Sequence, residues 1–186
     1  MAVIAASGFF LITQLQVVFS KIAEIPPKYL QQFEEMLESL KSMGPVGFFF
    51  IIAFLPAVCE ELLFRGYILD GLTRKLGAAS GIILTGVLFG AFHLDPYRLI
   101  PASLLGIIFG LAVWKGGSIF YGMTGHLVNN GLAFLAVLIG EEKLGRYISE
   151  TDFAPLWAII LASIVFAGAF YLFWRIPISE KRKDDS

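Results

Sequence analysis

Three charged side chains interrupt an apolar segment of the sequence, and their spacing divides them into a pair and a separate carboxylate. Glu60, Glu61 and Arg65 follow a charge-free run, inside a predicted helix that continues through Leu69. Glu61 and Arg65 are four residues apart, so they share a helical face in the order that favours an ion pair. Glu60 is turned by about 100° around the axis, which leaves its carboxylate free to face a reaction centre. The pattern predicts one working carboxylate and one structural pair.

The free-energy cost of placing these charged side chains in an apolar helix also favours a functional role for them. A charged side chain at the centre of a membrane helix costs about 2.5–3.5 kcal/mol on insertion scales. The simpler interpretation is a buried Glu61–Arg65 pair that fixes helix packing, with Glu60 solvated near the interface. We favour a functional site, because ionisable groups inside membranes are functional by default.

Both histidines of the chain fall in apolar segments as well. His93 ends the sequence Phe89 to His93. His126 lies four residues before Asn130, on the same helical face. Singly, each histidine could be an interhelical hydrogen-bonding group, worth about 0.6 kcal/mol on average. Together with the glutamates, they supply a base, a water-positioning group and donors for an oxyanion, which are the parts of a hydrolytic site.

The elements that must position these side chains are apolar enough to cross a membrane. Charged residues make up 16% of the 186-residue chain, against about 25% in soluble domains. Six stretches contain no Asp, Glu, Lys or Arg, and each is close to the ~20 residues that a spanning helix needs. They are Ala2–Ser20, Ser42–Cys59, Leu76–Leu94, Leu99–Trp114, Gly116–Gly140 and Phe153–Trp174. We therefore predict an all-α fold, a polytopic transmembrane helical bundle of about six spanning helices, forming a single integral membrane domain over residues 1–186.

Composition excludes several other classes of protein. The net charge of −1 excludes a nucleic-acid binder, which needs a basic face. The apolar runs are continuous rather than alternating, which excludes an outer-membrane barrel. The single cysteine, Cys59, excludes an intramolecular disulfide and a cysteine-rich metal site.

One segment outside the spans has an amphipathic pattern. Residues 26–43 place Leu30, Phe33, Leu37 and Leu40 at helical spacing, opposite charged side chains. The prolines at its start suit the first turn of a helix. We predict an interfacial amphipathic helix here.

Orientation follows from the charges between the spans. With six crossings both termini lie on one face, which carries seven Lys and Arg residues against six on the other. The positive-inside rule then predicts cytoplasmic termini, in the inner or cell membrane if the source is prokaryotic. The charged tail, residues 175–186, is predicted to anchor this topology.

Three motifs identify a family that the chain resembles. The sequence from Glu60 to Arg65 fits EExxxR, Phe89 to His93 fits FxxxH, and His126 to Asn130 fits HxxxN. Their order and spacing resemble the CAAX prenyl protease and bacteriocin-processing (CPBP, Abi) family of intramembrane endopeptidases. The resemblance covers residues 56–130, which we predict to be the catalytic core.

The resemblance implies a role for each motif residue. Glu60 would activate a water that His93 helps to hold, and His126 with Asn130 would stabilise the oxyanion of the tetrahedral intermediate. Glu61 and Arg65 would be supporting residues. The implied substrate is a peptide or protein that is membrane-spanning or lipid-anchored, with a prenyl group as one such anchor. Membrane lipids are the other expected partners, and nucleic acid is not an expected partner.

Other chemistries remain open alternatives. Glu60, His93 and His126 could bind zinc, since two His and one Glu with an open position form a known catalytic set. We prefer a mechanism without a cofactor, because the chain has no His-Glu-x-x-His motif. Serine and aspartate protease motifs are absent from the sequence, and a buried Cys59 thiol would be inert.

Two non-hydrolytic functions are also compatible with the residues. A transporter or proton-relay protein could line an ion path with Glu60, His93 and His126, although no internal repeat supports it. A non-catalytic scaffold or immunity protein could use the same fold for binding.

Overall fold

The computed structural model describes residues 1–22, 25–145, 147 and 152–180. Within these residues the chain is helical and contains no strand, which confirms the all-α bundle. The helices are α1 (Ala2–Ile22), α2 (Pro27–Lys41), α3 (Gly44–Leu76), α4 (Ala78–Phe92), α5 (Leu99–Gly116), α6 (Phe120–Ile139), α7 (Glu141–Leu144) and α8 (Leu156–Arg175).

In the described part of the chain, five helices are long and apolar enough to cross a membrane, namely α1, α3, α5, α6 and α8. The sixth predicted span, α4, is apolar but has 15 residues, or about 22 Å at 1.5 Å per residue. A positive φ at Gly77 separates it from α3, and Leu94, with φ of 52°, follows its last turn. Two backbone turns therefore shorten α4 within the longer apolar stretch. The protein is an integral membrane protein.

Helix α3 carries the EExxxR motif and is not a regular α-helix. Its segment Leu55–Glu61 is α-helical and lies between two π-helical segments, Phe50–Phe54 and Leu62–Ile68. The sequence predicts a plain helix through Leu69, so the π segments are a departure from that expectation. π-helical turns widen a helix locally and are frequent at functional sites.

Helices α4 and α5 pack closely because small residues face each other. A Cβ atom added to Gly106 would lie 2.9 Å from the Cα atom of Gly86, closer than real Cβ contacts. This approach brings Phe89 of α4 and Phe109 of α5, both almost fully buried, beside α3.

The predicted amphipathic helix is present as α2, which starts at Pro27 after Pro26 as N-cap. None of its residues is buried. It touches the loop after α4, where Tyr29 donates a hydrogen bond to Asp95 and the Arg98 guanidinium lies 4.7 Å from the Phe33 ring centre. Its position at a membrane interface stays a prediction.

The described part of the predicted C-terminal anchor returns to the bundle. The backbone N–H of Ser179 donates to the carbonyl of Lys115 at the end of α5 (3.0 Å). Ile178 packs against a buried cluster that includes Leu69 and Trp114. Residues 181–186 of the predicted tail lie outside the described residues.

Candidate active site

Three helices supply the motif side chains. Glu60 and Glu61 lie between the π-helical segments of α3, and His93 directly follows the last residue of α4. His126 and Asn130 lie on α6. The three motifs are far apart in sequence but lie near one another in the bundle. Not all of their side chains are in contact.

The Glu61–Arg65 pair that the spacing predicts is present and fully buried. Glu61 Oε1 lies 2.6 Å from Arg65 Nη1, and both side chains are 0% exposed. Arg65 Nη2 donates to the carbonyl of Gly106 (3.0 Å), and its guanidinium lies 4.4 Å from the ring centre of Phe89. Hydrogen bonds and an aromatic face thus compensate part of the desolvation of this cation.

His126 connects this pair to Glu60. Its Nδ1 is 3.1 Å from Glu61 Oε1, so the same carboxylate oxygen accepts from Arg65 and from the imidazole. With Nδ1–H donating, Nε2 is directed towards Glu60 and lies 3.9 Å from Glu60 Oε2. Glu61 thereby fixes the ring orientation of a residue 65 positions away.

Glu60 is the more accessible of the two glutamates, with 22% of its side chain exposed against 0% for Glu61. Its Oε2 atom is nevertheless buried and has no hydrogen-bond partner among the described residues. The 3.9 Å between this oxygen and His126 Nε2 is too long for a direct hydrogen bond. It is short enough for one small polar molecule, such as water, to bond to both atoms.

His93 stands apart from these groups. Its Nδ1–H donates to the carbonyl of Phe89 one turn earlier (2.9 Å), and it bonds to neither Glu60 nor His126 within the described chain. The Phe89 ring lies between the two imidazoles, 5.1 Å from the centre of His93 and 5.6 Å from that of His126. The Nε2 atom of His93 remains available to a ligand.

Asn130 faces α3 at a different level from His126. Its Nδ2 donates to the carbonyl of Ile52 (3.1 Å), and its Oδ1 accepts from Asn129 Nδ2 (3.1 Å). The second N–H of the Asn130 amide is not used by these bonds and could donate to a substrate. The oxyanion role of Asn130 stays a prediction.

Two further residues of the site, Phe89 and Gly122, are not among the catalytic candidates that the sequence suggests. Phe89 is buried, and its ring contacts the Arg65 guanidinium and both histidines. Gly122 lies one turn before His126, where a side chain would collide with Glu61. The FxxxH spacing pointed to Phe89, whereas no sequence signal separates Gly122 from other helix-packing glycines.

The zinc alternative requires Glu60, His93 and His126 to converge on one ion. Among the residues that the structure describes, no group of three or more His, Cys, Asp or Glu side chains could hold a metal ion. Glu61 holds Nδ1 of His126 and the Phe89 carbonyl holds Nδ1 of His93, so each histidine would present Nε2 to a ligand. The choice between a zinc mechanism and a metal-free mechanism stays a prediction.

Comparison with known proteins matches part of the chain to a protein family. Residues 42–132 match the family model described as "Type II CAAX prenyl endopeptidase Rce1-like". The matched region contains all three motifs. No curated protein and no solved structure matches the chain.

Proposed function

Through residues 42–132 the chain belongs to the CAAX prenyl protease family, and from that membership we propose a glutamic-type intramembrane endopeptidase. The family supports a protease acting on a peptide or protein at a membrane. Our proposal adds that Glu60 is the general base and that no metal takes part.

The observation that carries this proposal is the gap between Glu60 and His126. A water bonded to Glu60 Oε2 and His126 Nε2 would transfer a proton to Glu60 as its oxygen attacks the scissile carbonyl carbon. The tetrahedral intermediate then breaks its C–N bond, and Glu60 returns the proton to the leaving amine. Protons and electrons balance over the cycle, and a positioned base typically contributes about 10²–10⁴-fold in rate.

His126, His93 and Asn130 supply donors around this centre. Glu61 holds the Nδ1–H of His126, so Nε2 points to the reacting water and, when protonated, donates to the oxyanion. A substrate bound between α4 and α6 would meet the available Nε2 of His93. An oxyanion donor of this kind is typically worth about 10²–10³-fold in rate.

We further propose a substrate whose cleaved segment is held at the membrane by a lipid anchor, prenylated or not, or by a spanning helix. The site residues lie on membrane helices, and Glu60 is only partly exposed. A substrate must therefore reach the site from the bilayer or its surface.

For orientation, we propose cytoplasmic termini. If α4 is counted as a sixth crossing, alternate crossing places the ends of α3, α5 and α8 on the same side as the start of α1. Basic residues cluster at those ends, namely Arg74, Lys75, Lys115 and Arg175. The positive-inside rule assigns that face to the cytoplasm, and reporter fusions to the C-terminus test it.

The decisive experiment compares two Glu→Gln variants in proteoliposomes containing fluorogenic peptides. The panel holds one sequence as a prenylated, an acylated and an unmodified peptide. We expect wild type and the control Glu34→Gln, an exposed residue of α2, to cleave a membrane-anchored peptide, and Glu60→Gln to lose at least about 10²-fold. Wild-type rates for Glu60→Gln would refute the base assignment, and cleavage of none of the peptides by folded wild type would count against the protease proposal.

A further inference from the structure

Helix α5 carries none of the three motifs, yet one of its side chains lies against the site. The buried ring of Phe109 has its centre 5.7 Å from that of the His126 imidazole, with an angle of 27° between the two planes. Two rings at this distance and angle are in the offset-stacked arrangement that aromatic pairs prefer. Phe109 therefore covers one face of the imidazole.

The ring of Phe109 is itself held in place by two neighbouring helices. A Cβ atom added to Gly125, the residue before His126, would lie 2.9 Å from Phe109 Cε1 and 3.0 Å from its Cδ1. The ring therefore fills the space that a side chain at residue 125 would need. On α3, the Arg65 guanidinium lies 5.6 Å from the ring centre, which is within the range of a cation–π interaction.

The hydrogen bond to Glu61 alone does not fix the imidazole of His126. It holds Nδ1 at 3.1 Å, but a hydrogen bond tolerates a range of angles. The ring can therefore tilt about this nitrogen, and a tilt moves Nε2 relative to Glu60 Oε2, which lies 3.9 Å away. A bridging water needs both atoms within hydrogen-bond distance. The plane of the imidazole must therefore be restrained as well as its Nδ1 atom.

The two phenylalanines beside His126 restrain its imidazole in different ways. Phe89 is nearly perpendicular to the imidazole, with 81° between the planes. Phe109 lies along the imidazole face, so it blocks a tilt of the ring towards α5, because a close-packed interior leaves no room for that movement.

We propose that Phe109 is a positioning residue for His126, which holds the plane of the imidazole so that Nε2 stays directed towards Glu60. This inference rests on the proposed roles of Glu60 and His126 in hydrolysis. It adds a residue from α5, outside the three motifs, that acts on the reaction through the orientation of His126.

The test removes the aromatic ring and keeps most of the apolar volume, as in Phe109→Leu. The matched control is Phe48→Leu. Phe48 is fully buried, and its ring centre lies 5.3 Å from that of Phe134 on α6. Because both variants lose a buried ring that packs against α6, a general loss of packing is common to the two.

Two measurements are made on each variant. The first is kcat and KM on a fluorogenic membrane-anchored peptide, since displacement of a catalytic group lowers kcat without weakening substrate binding. The second is the nitrogen NMR spectrum of protein with isotope-labelled histidine, in lipid bilayers and at a pH where the imidazole is neutral. The chain has two histidines, and a His126→Gln sample identifies the signals of His126 by their loss.

The NMR measurement needs no catalysis. The nitrogen shifts report which ring nitrogen carries the proton, and in His126 the bond from Nδ1 to Glu61 sets this choice. An imidazole that tilts away from Glu61 loses that preference.

We expect wild type and Phe48→Leu to carry the proton on Nδ1 of His126, and Phe109→Leu to show a mixture of the two tautomers. We also expect Phe109→Leu to lower kcat by about 10–100-fold relative to Phe48→Leu, with KM nearly unchanged. If Phe109→Leu does not fold, Phe109→Met replaces it, since methionine fills the apolar space without a ring.

A single Nδ1–H tautomer in the Phe109 variant overturns the proposal, and so does a loss of kcat equal to that of Phe48→Leu. If folded wild type cleaves no peptide, the protease proposal fails by itself, and the tautomer comparison still decides whether Phe109 orients the imidazole.

Discussion

Gly122 lies directly against the carboxylate of Glu61. A Cβ atom at position 122 would stand 2.2 Å from Glu61 Oε2 and 2.9 Å from a methyl carbon of Val113. Glu61 is fully buried and bonded to Arg65, so its side chain cannot move aside without breaking that bond. The buried ion pair can occupy its position only because residue 122 has no side chain.

Gly122→Ala should therefore destabilise the protein and reduce its activity together. The added methyl group displaces the Glu61 carboxylate, which orients His126, and overpacking of this kind costs about 1–3 kcal/mol. Thermal unfolding in detergent and peptide cleavage measure the two effects. The matched control is Gly131→Ala on the same helix, where the nearest atom is 3.9 Å away. Equal behaviour of the two variants would contradict the contact.

The same chemical change at two adjacent glutamates should have opposite consequences. Glu61→Gln removes the charge that compensates the buried Arg65, and breaking a buried pair costs about 3–5 kcal/mol. Among the described residues, His126 is the one basic side chain within salt-bridge distance of Glu60. In Glu60→Gln the fold should therefore be retained while cleavage falls by about 10²–10⁴-fold. Unfolding curves and cleavage rates for both variants check this division.

The opposite result would refute this assignment of a structural role to Glu61 and a catalytic role to Glu60. A stable, inactive Glu61→Gln beside an unstable Glu60→Gln would assign the structural role to Glu60. Glu34→Gln, on an exposed position of α2, controls for the loss of one negative charge.

The sequence could predict those features of the fold and the site that depend on the spacing of residues within one helix. The apolar runs define the helices, and the i,i+4 spacing defines the Glu61–Arg65 pair, because both ends lie on one helix. The attachment of His126 to Glu61 joins residues on two helices and depends on how those helices rotate and pack. Spacing within α6 puts His126 and Asn130 on one face but does not reveal that they contact α3 at different levels.

The sequence also could not predict where the helices depart from regular α-helical geometry. Pro56 signals a disturbance in α3, yet the widened turns before and after Glu61 depend on the packing around them. The short length of α4 follows from a backbone turn at Leu94, a residue type that rarely adopts positive φ. No hydropathy pattern encodes either feature.

Metal removal separates the two catalytic chemistries. We expect the purified protein to keep its activity after treatment with a strong chelator, because no group of three or more His, Cys, Asp or Glu side chains among the described residues could hold a metal ion. Elemental analysis of the active sample provides the matching measurement. Activity that is lost on chelation and restored by zinc would overturn the metal-free mechanism.

Phe89 should contribute to the site through its ring rather than its bulk. The ring lies 4.4 Å from the Arg65 guanidinium and contacts both imidazoles, and a desolvated cation–π contact is worth about 2 kcal/mol. Phe89→Leu keeps most of the apolar volume, so unfolding stability should fall by about that amount and cleavage should fall with it as His126 loses support. The control is Phe92→Leu on the same helix, where the ring is 56% exposed and contacts Phe64. If Phe92→Leu cost as much as Phe89→Leu in both measurements, the loss at residue 89 would reflect general helix packing and not the aromatic face beneath Arg65.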